Sequence, residues 1–199
     1  NYNIGGGQLL DWIGHHCDIA HWGLDFDNTG PSEIEGTGEY PSSGLWDVLL
    51  KFQVRYKFAN GVAMTYSISR PFVKFIGTDG WVGNNGWRAK VEASSKEILE
   101  SKIGDNEIHL YTNPAGEQDD FLKCVRSRKD PYFPVEIGHR VSTVCHLANL
   151  AIRLGRKLNW DPAKEQFVGD PEAQKLLMPT YRAPWALPKI TRATSSASR

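Results

Sequence analysis

The sequence predicts an α+β fold: a large, open, mostly antiparallel β-sheet with helices packed on one face. Three observations carry this. The middle of the 199-residue chain alternates apolar and polar residues in short runs, those runs are joined by short connections, and helix-period stretches stand at both ends. The length suits one domain with a substantial core. Seven Trp, seven Tyr and eight Phe suit a broad packed sheet or an extensive interface, because each ring buries a large area.

Residues 5–22, GGGQLLDWIGHHCDIAHW, read as a glycine-rich turn running into a helix. At ~100° per residue, Leu9, Ile13 and Ala20 gather on one side and Asp11, His15, Asp18 and Trp22 on the other. Such a helix is packed behind and looks into something polar. A strand is expected over 32–40. Residues 47–58 then alternate through Leu50, Phe52, Val54, Tyr56 and Phe58, and after Ala59-Asn60-Gly61 comes VAMTYSIS at 62–69. Asn-Gly between two alternating runs is a strong hairpin signal. Further strand-like pieces at 72–77, 80–83 and 87–93 bring the count to about six. Gly77, Gly80, Gly83 and Gly86 recur among them as turn and bulge positions, since they do not form GxGxxG and no helix pattern follows. Helices are predicted near 115–128 and over 138–157, the second with a stripe of Val141, Val144, Cys145, Ala148, Ala151 and Leu154. Arg153, Arg156 and Lys157 sit near its C-terminus, where the helix dipole favours cations. Trp160-Asp161-Pro162 reads as a cap and first-turn proline of a further short helix, and Asp170-Pro171 repeats the device. The last residues lack periodicity, so 188–199 is expected to be a flexible tail behind a single domain at 1–187.

Lys plus Arg equals Asp plus Glu at 23 each, which gives no reason to expect nucleic acid or an anionic membrane surface. No apolar run approaches the ~20 residues of a membrane span. Cys17, Cys124 and Cys145 form neither a CxxC pair nor a regular framework, so structural zinc and a disulfide scaffold are both disfavoured. There is no dinucleotide fingerprint after a strand, no P-loop and no GxSxG elbow.

Asp11 and His15 stand four apart on the first helix, so their side chains are neighbours. A carboxylate beside an imidazole stabilises the imidazolium and makes the ring a better base. Oxidising an alcohol requires removal of the hydroxyl proton as hydride leaves carbon, which a histidine can do near neutral pH. Asp18, one turn on, could bind a substrate hydroxyl or orient the ring. On spacing alone, a DxxxH pair is more often a surface or structural pair. No softer ligand or recognisable motif supports a metal site from Asp11, His15 and Asp18, so no metal is expected. His16 and His21 point elsewhere on the helix and read as structural. His139 is expected just before a helix start, where backbone N–H groups could help place a polar ligand, although capping or packing is the commoner role. His146 reads as a core histidine. Arg182 and Trp185, in YRAPW, look like an ordered surface clasp.

GGGQLLDWIGHHCDIAHWGL resembles the segment that opens the C-terminal domain of the glucose–fructose oxidoreductase and inositol dehydrogenase (Gfo/Idh/MocA) family. KFIGTDGW, DDFLKCVRSRKDP, VEIGHRVSTVCHLANLAIRLGRKLNWDP and EQFVGDPEAQKLL with YRAPW extend the likeness over about residues 5–187. The resemblance implies a fold like the C-terminal domain of glyceraldehyde-3-phosphate dehydrogenase. It implies catalytic roles for His15 as proton acceptor and Asp11 as substrate or orienting contact; Asp18 and His139 are expected on the substrate side from their helix positions alone. It further implies a carbohydrate-like substrate, NAD or NADP held mainly by an N-terminal Rossmann domain that this chain lacks, and a homo-oligomer formed through the open sheet face. The family's Glu-Lys-Pro lysine is also absent, so the chain alone is expected to be inactive. Two other readings stand beside this one: a non-catalytic binding or assembly module of the same fold, and half of an NAD-dependent glycoside hydrolase. Sparse cysteines suit the cytoplasm, whereas relatives of this subgroup often carry export signals that would direct the protein to the periplasm.

Overall fold

Apolar–polar alternation makes Lys51–Lys57 (β2) the spine of the fold: Phe52, Val54 and Tyr56 are buried, while Lys51, Gln53, Arg55 and Lys57 face out. Each large apolar side chain taken fully out of water contributes about 1.5–3 kcal/mol, so the period of two decides which face meets the core. The computed structural model describes residues 1–68, 72–86, 88–107 and 113–186, without the side chain of Ile13. The expected tail at 188–199 lies outside the described residues. β1 (Glu33–Glu39) and β3 (Ala63–Ser67) flank β2, both antiparallel to it. Asn60-Gly61 turns the β2–β3 hairpin, with the Val62 N–H donating to Asn60 Oδ1 at 3.1 Å.

The strands divide into two sheets rather than joining in one. β7 (Leu158–Asp161) and β8 (Gln166–Phe167) complete a five-stranded sheet in the order β3-β2-β1-β7-β8. β4 (Val73–Ile76), β5 (Trp81–Asn84) and β6 (Val91–Ala93) form a separate three-stranded sheet. All pairings are antiparallel. Trp160-Asp161-Pro162 therefore does not open a helix. The Asp161 carboxylate accepts from the Ala163 and Lys164 N–H groups at 3.0 Å each, closing the turn of a β7–β8 hairpin in which Trp160 and Phe167 meet ring to ring at 5.0 Å. The same aspartate chemistry serves a helix cap and an Asx turn, and tertiary pairing with β1 selects the turn. Asp170 does cap a helix, α6 (Pro171–Lys175).

Two long helices, α2 (Gln8–Leu24) and α5 (Val135–Leu154), cover one face of the large sheet. Tyr2–Gly5 (α1), Lys96–Leu99 (α3) and Gly116–Ser127 (α4) are the other described helices besides α6. The buried side of α5 carries Val141, Val144, Cys145, Ala148 and Ala151 and settles on β1, where Gly38 makes room. A Cβ there would come within 2.5 Å of Leu49 and 3.1 Å of Ile152. The Arg153 guanidinium stacks on the Tyr2 ring and Cys145 meets Cys17, so α2 and α5 run in opposite directions.

The aromatic residues of β2 thus face the chain's own helices, and the open face of the large sheet is not the apolar surface that their number suggests. It carries Glu33 opposite Lys57, Glu35 opposite Arg55 and Glu39 opposite Lys51. Ion pairs join Glu33 to Lys57 at 3.3 Å and Glu39 to Lys51 at 3.1 Å. The small sheet is tied to α2 by Phe75, whose ring occupies the space a Cβ on Gly23 would need. Of its recurrent glycines, Gly77 and Gly80 close a turn and Gly86 lies in another, whereas Gly83 lies within β5.

Candidate active-site face

The start of α2 is set by Gly7, whose φ of 76° and ψ of −166° few other residues adopt, and where a Cβ would collide with Val48. From there the helix divides lengthwise. Leu9, Cys17 and His21 are buried at 0%, 4% and 0% exposure, whereas Asp11, Trp12, His15 and Ile19 are exposed. Ala20, expected on the apolar side, is half-buried at its margin. Asp11 lies in the first turn, where the helix dipole favours a carboxylate.

Asp11 and His15 share the exposed face, yet no hydrogen bond or ion pair joins them among the described residues. The His15 ring instead rests by Trp12, with centroids 5.6 Å apart and planes tilted by 52°. Its electrostatic partner is Asp18. Burial pushes the Asp18 carboxyl above the ordinary carboxylate range, the nearby Asp27 carboxylate adds to the shift, and His15 opposes it. Asp27 arrives there because Asp25 adopts the left-handed conformation at the helix end, with the Phe26 N–H donating to the His21 carbonyl at 2.8 Å and turning the chain back. Asp27 is itself raised, by burial first and by Asp25 second, and its Oδ1 is buried without a hydrogen-bond partner among the described residues.

Trp12 and Asp27 are the two members of this face that motif reading missed. Trp12 stands three residues before His15, so helical spacing could have found it; Asp27 depends on a turn that no periodicity announces.

The other histidines are dispersed. His21 is a core residue, edge-on to Phe26 and Phe58 at 6.1 and 5.8 Å. Cys17 lies beside it, and the Cys17 thiol is held well above its ordinary range by its hydrogen bond to Cys145 and by burial. His16 Nδ1 lies 3.3 Å from the Trp12 carbonyl. His139 is not at a helix start: Pro134 caps α5, so the helix begins at Val135 and His139 sits a turn inside it. Its Nε2 meets Glu165 at 2.5 Å, and Arg140 shares that carboxylate. Among the described residues, no hydrogen bond, ion pair or ring contact joins it to Asp11, His15 or Asp18. His146 lies on the exposed side of α5 rather than in the core, with its ring partly desolvated and its pKa lowered for that reason. Trp185 is 68% exposed and its backbone N–H donates to the Arg182 carbonyl, a surface turn.

Two concavities lie elsewhere, one of about 480 Å³ on the open face of the large sheet and one of about 410 Å³ on the small sheet. Neither is lined by Asp11 or His15. Among the described residues, no group of three or more His, Cys, Asp or Glu could hold a metal ion. No helix among them is long and apolar enough to cross a membrane.

A family model described as "Oxidoreductase family, C-terminal alpha/beta domain" matches residues 1–187. No curated protein sequence matches the chain. Among solved structures, the chain is similar to an aldose–aldose oxidoreductase from Caulobacter crescentus complexed with glycerol, at 14% identity and a TM-score of 0.56 over 73% of this chain and 45% of that one. It is similar to an NAD-binding protein from Listeria innocua, at 17% identity and a TM-score of 0.55 over 78% and 52%. A third likeness is to an oxidoreductase from Agrobacterium radiobacter in complex with NAD+, L-tartaric acid and magnesium, at 10% identity and a TM-score of 0.52 over 73% and 47%. The chain spans about half the length of each of these structures.

Proposed function

Because the chain belongs to the Gfo/Idh/MocA oxidoreductase family, as its C-terminal α/β domain, we propose that it supplies the substrate-side face of an NAD(P)-dependent enzyme acting on a sugar, polyol or related hydroxy compound. The observation that carries the reading is the front of α2. Asp11, His15 and Asp18 stand on one side of a helix whose other side is locked into the core, so they are held rigidly while remaining free to meet a ligand.

No described element of this chain is built to hold a dinucleotide. The glycines of the sheets lie in strands and turns, and none opens a helix after a strand. In this proposal the cofactor is carried by an N-terminal domain that faces α2 and provides the hydride acceptor. The work of this chain is then to bind the substrate and move a proton. Asp18 accepts a hydrogen bond from a substrate hydroxyl, Asp11 orients the sugar, and a ring nitrogen of His15 takes the proton from the reacting hydroxyl. Trp12 shields the imidazole from water on one side. His139, paired with Glu165, has no part in this. We also place the association of like subunits on the open face of the large sheet, supported by its rows of complementary charge.

Replacing His15 with Ala in the full-length protein is expected to lower kcat by about 10²–10⁴-fold, the usual scale for a general base, while cofactor affinity stays unchanged. Steady-state assays with NAD(P)H formation as readout check this; unaltered turnover rules His15 out as the base.

A further inference from the structure

The concavity of the small sheet is built around Gly83. In register, Gly83 of β5 stands opposite Lys74 of β4 on one side and Glu92 of β6 on the other. All three are on one face of the sheet, and it is the face turned away from α2, because the alternate residue Phe75 points to Gly23. With no side chain at the centre, Lys74 and Glu92 stand two strand spacings apart, about 10 Å between backbones. They form no ion pair with each other. Lys74 is held: its Nζ lies 3.8 Å from the centroid of the Trp81 ring, a cation–π contact. Glu92 is exposed and has no ion-pair or hydrogen-bond partner among the described residues. Phe72, 46% exposed, lines the hollow as well. The volume, about 410 Å³, falls in the ordinary range for small-molecule sites.

This combination selects a ligand class. An anion would gain from Lys74 and lose to Glu92, and a cation the reverse. A neutral polyhydroxylated ring can satisfy both, donating to the carboxylate and accepting from the ammonium, while its C–H face lies on an aromatic ring. In the hollow on the large sheet, by contrast, Arg156 is bound by Asp170 and Glu172, and Lys157 by Glu33. We propose that the outer face of the small sheet is a binding subsite for a neutral pyranose unit, stacked on Phe72 with its hydroxyls bridging Lys74 and Glu92. It is separate from the front of α2 and does not depend on His15 being a base.

The test is an amide-resolved NMR titration of the 199-residue chain with methyl β-D-glucopyranoside and methyl β-D-galactopyranoside. Their anomeric methyl group blocks ring opening. At least one is expected to shift the amides of Phe72, Lys74, Trp81, Gly83 and Glu92 with a saturable, millimolar Kd. Glu92→Gln and Phe72→Ala, both at exposed positions that leave the fold intact, should each weaken binding about tenfold, the scale of one lost hydrogen bond to a charged group or one lost ring contact. His15→Ala should leave the Kd unchanged. Four results overturn the proposal: no shift at these residues with either pyranoside, shifts confined to α2, binding that survives both subsite variants, or tighter saturation of the same amides by inorganic phosphate.

Discussion

Gly7→Ala tests whether the glycine run before α2 is what fixes the helix that presents Asp11 and His15. Gly7 holds a φ of 76° and a ψ of −166°, a region almost closed to other residues, where a side chain costs about 1–3 kcal/mol of backbone strain. The added Cβ would come within 2.6 Å of Val48 Cβ and 2.9 and 3.1 Å of its methyls. Val48 is 7% exposed and β-branched, so it has little room to rotate away, and overpacking adds about 1–3 kcal/mol. The loss is therefore about 2–6 kcal/mol, a large part of the stability of an ordinary domain. For a chain of this length it lowers Tm by at least about 4 °C. Its neighbours serve as internal controls. A Cβ on Gly5 meets nothing within 4 Å and Gly5 closes a helical turn, so Gly5→Ala should be neutral or stabilising by up to about 1 kcal/mol. Gly6→Ala should fall between them, because its Cβ meets Leu10 Cδ1 and Cγ, which a rotation of that partly exposed side chain moves aside, while its φ of 63° remains strained for alanine. Guanidinium denaturation followed by circular dichroism reads all three. The reasoning fails if Gly7→Ala lies within about 1 kcal/mol of the parent, or if Gly5→Ala costs as much.

Asp18 carries a stability signature opposite to that of most carboxylates. Its folded pKa is raised above the ordinary 3.8, so between the two values the native state binds more protons than the unfolded state, and stability falls as pH rises through that window. Asp18→Asn should therefore unfold at higher denaturant than the parent near neutral pH, with the gap closing below pH 3.8; a gap that widens in acid contradicts the assignment. Association through the open face of the large sheet, with its exposed charge pairs, should weaken as salt is raised from low to high concentration, because screening acts on such pairs directly. Sedimentation at two ionic strengths checks it, and dimers that resist salt place the contact on another surface.

The parts of the fold that the sequence disclosed are those decided locally. Asn60-Gly61 between alternating runs specifies a hairpin by backbone conformation alone, and Phe52, Val54 and Tyr56 specify the buried face of β2 by period. The division into two sheets was hidden because strand partners are chosen by packing at long range: nothing in VKFI announces that it pairs with WVGN and not with β3. Asp161-Pro162 was ambiguous for a different reason, since one carboxylate over the next backbone N–H groups starts helices and turns alike. The aromatic count misled about the sheet surface because composition does not record which face a ring occupies. The alternation does record it, and it forces Lys, Arg and Glu outward wherever it sends Phe and Tyr inward.

For the candidate site the same division runs through a single helix. Helical spacing is enough to put Asp11, His15 and Asp18 on one face, and the structure has them there. Spacing cannot say which neighbours interact. The closest pair by turn, Asp11 and His15, makes no direct bond, whereas Asp18 responds to both His15 and Asp27. Asp27 reaches that position only through the left-handed turn at Asp25, a conformation forced on the chain as it leaves α2 to begin β1. The raised pKa of Asp18 thus comes first from its burial on the helix and second from a residue outside the family-like motif. Asp18, which the imidazole and that second carboxylate influence in opposite senses, is a position where a change at Asp27 would be felt.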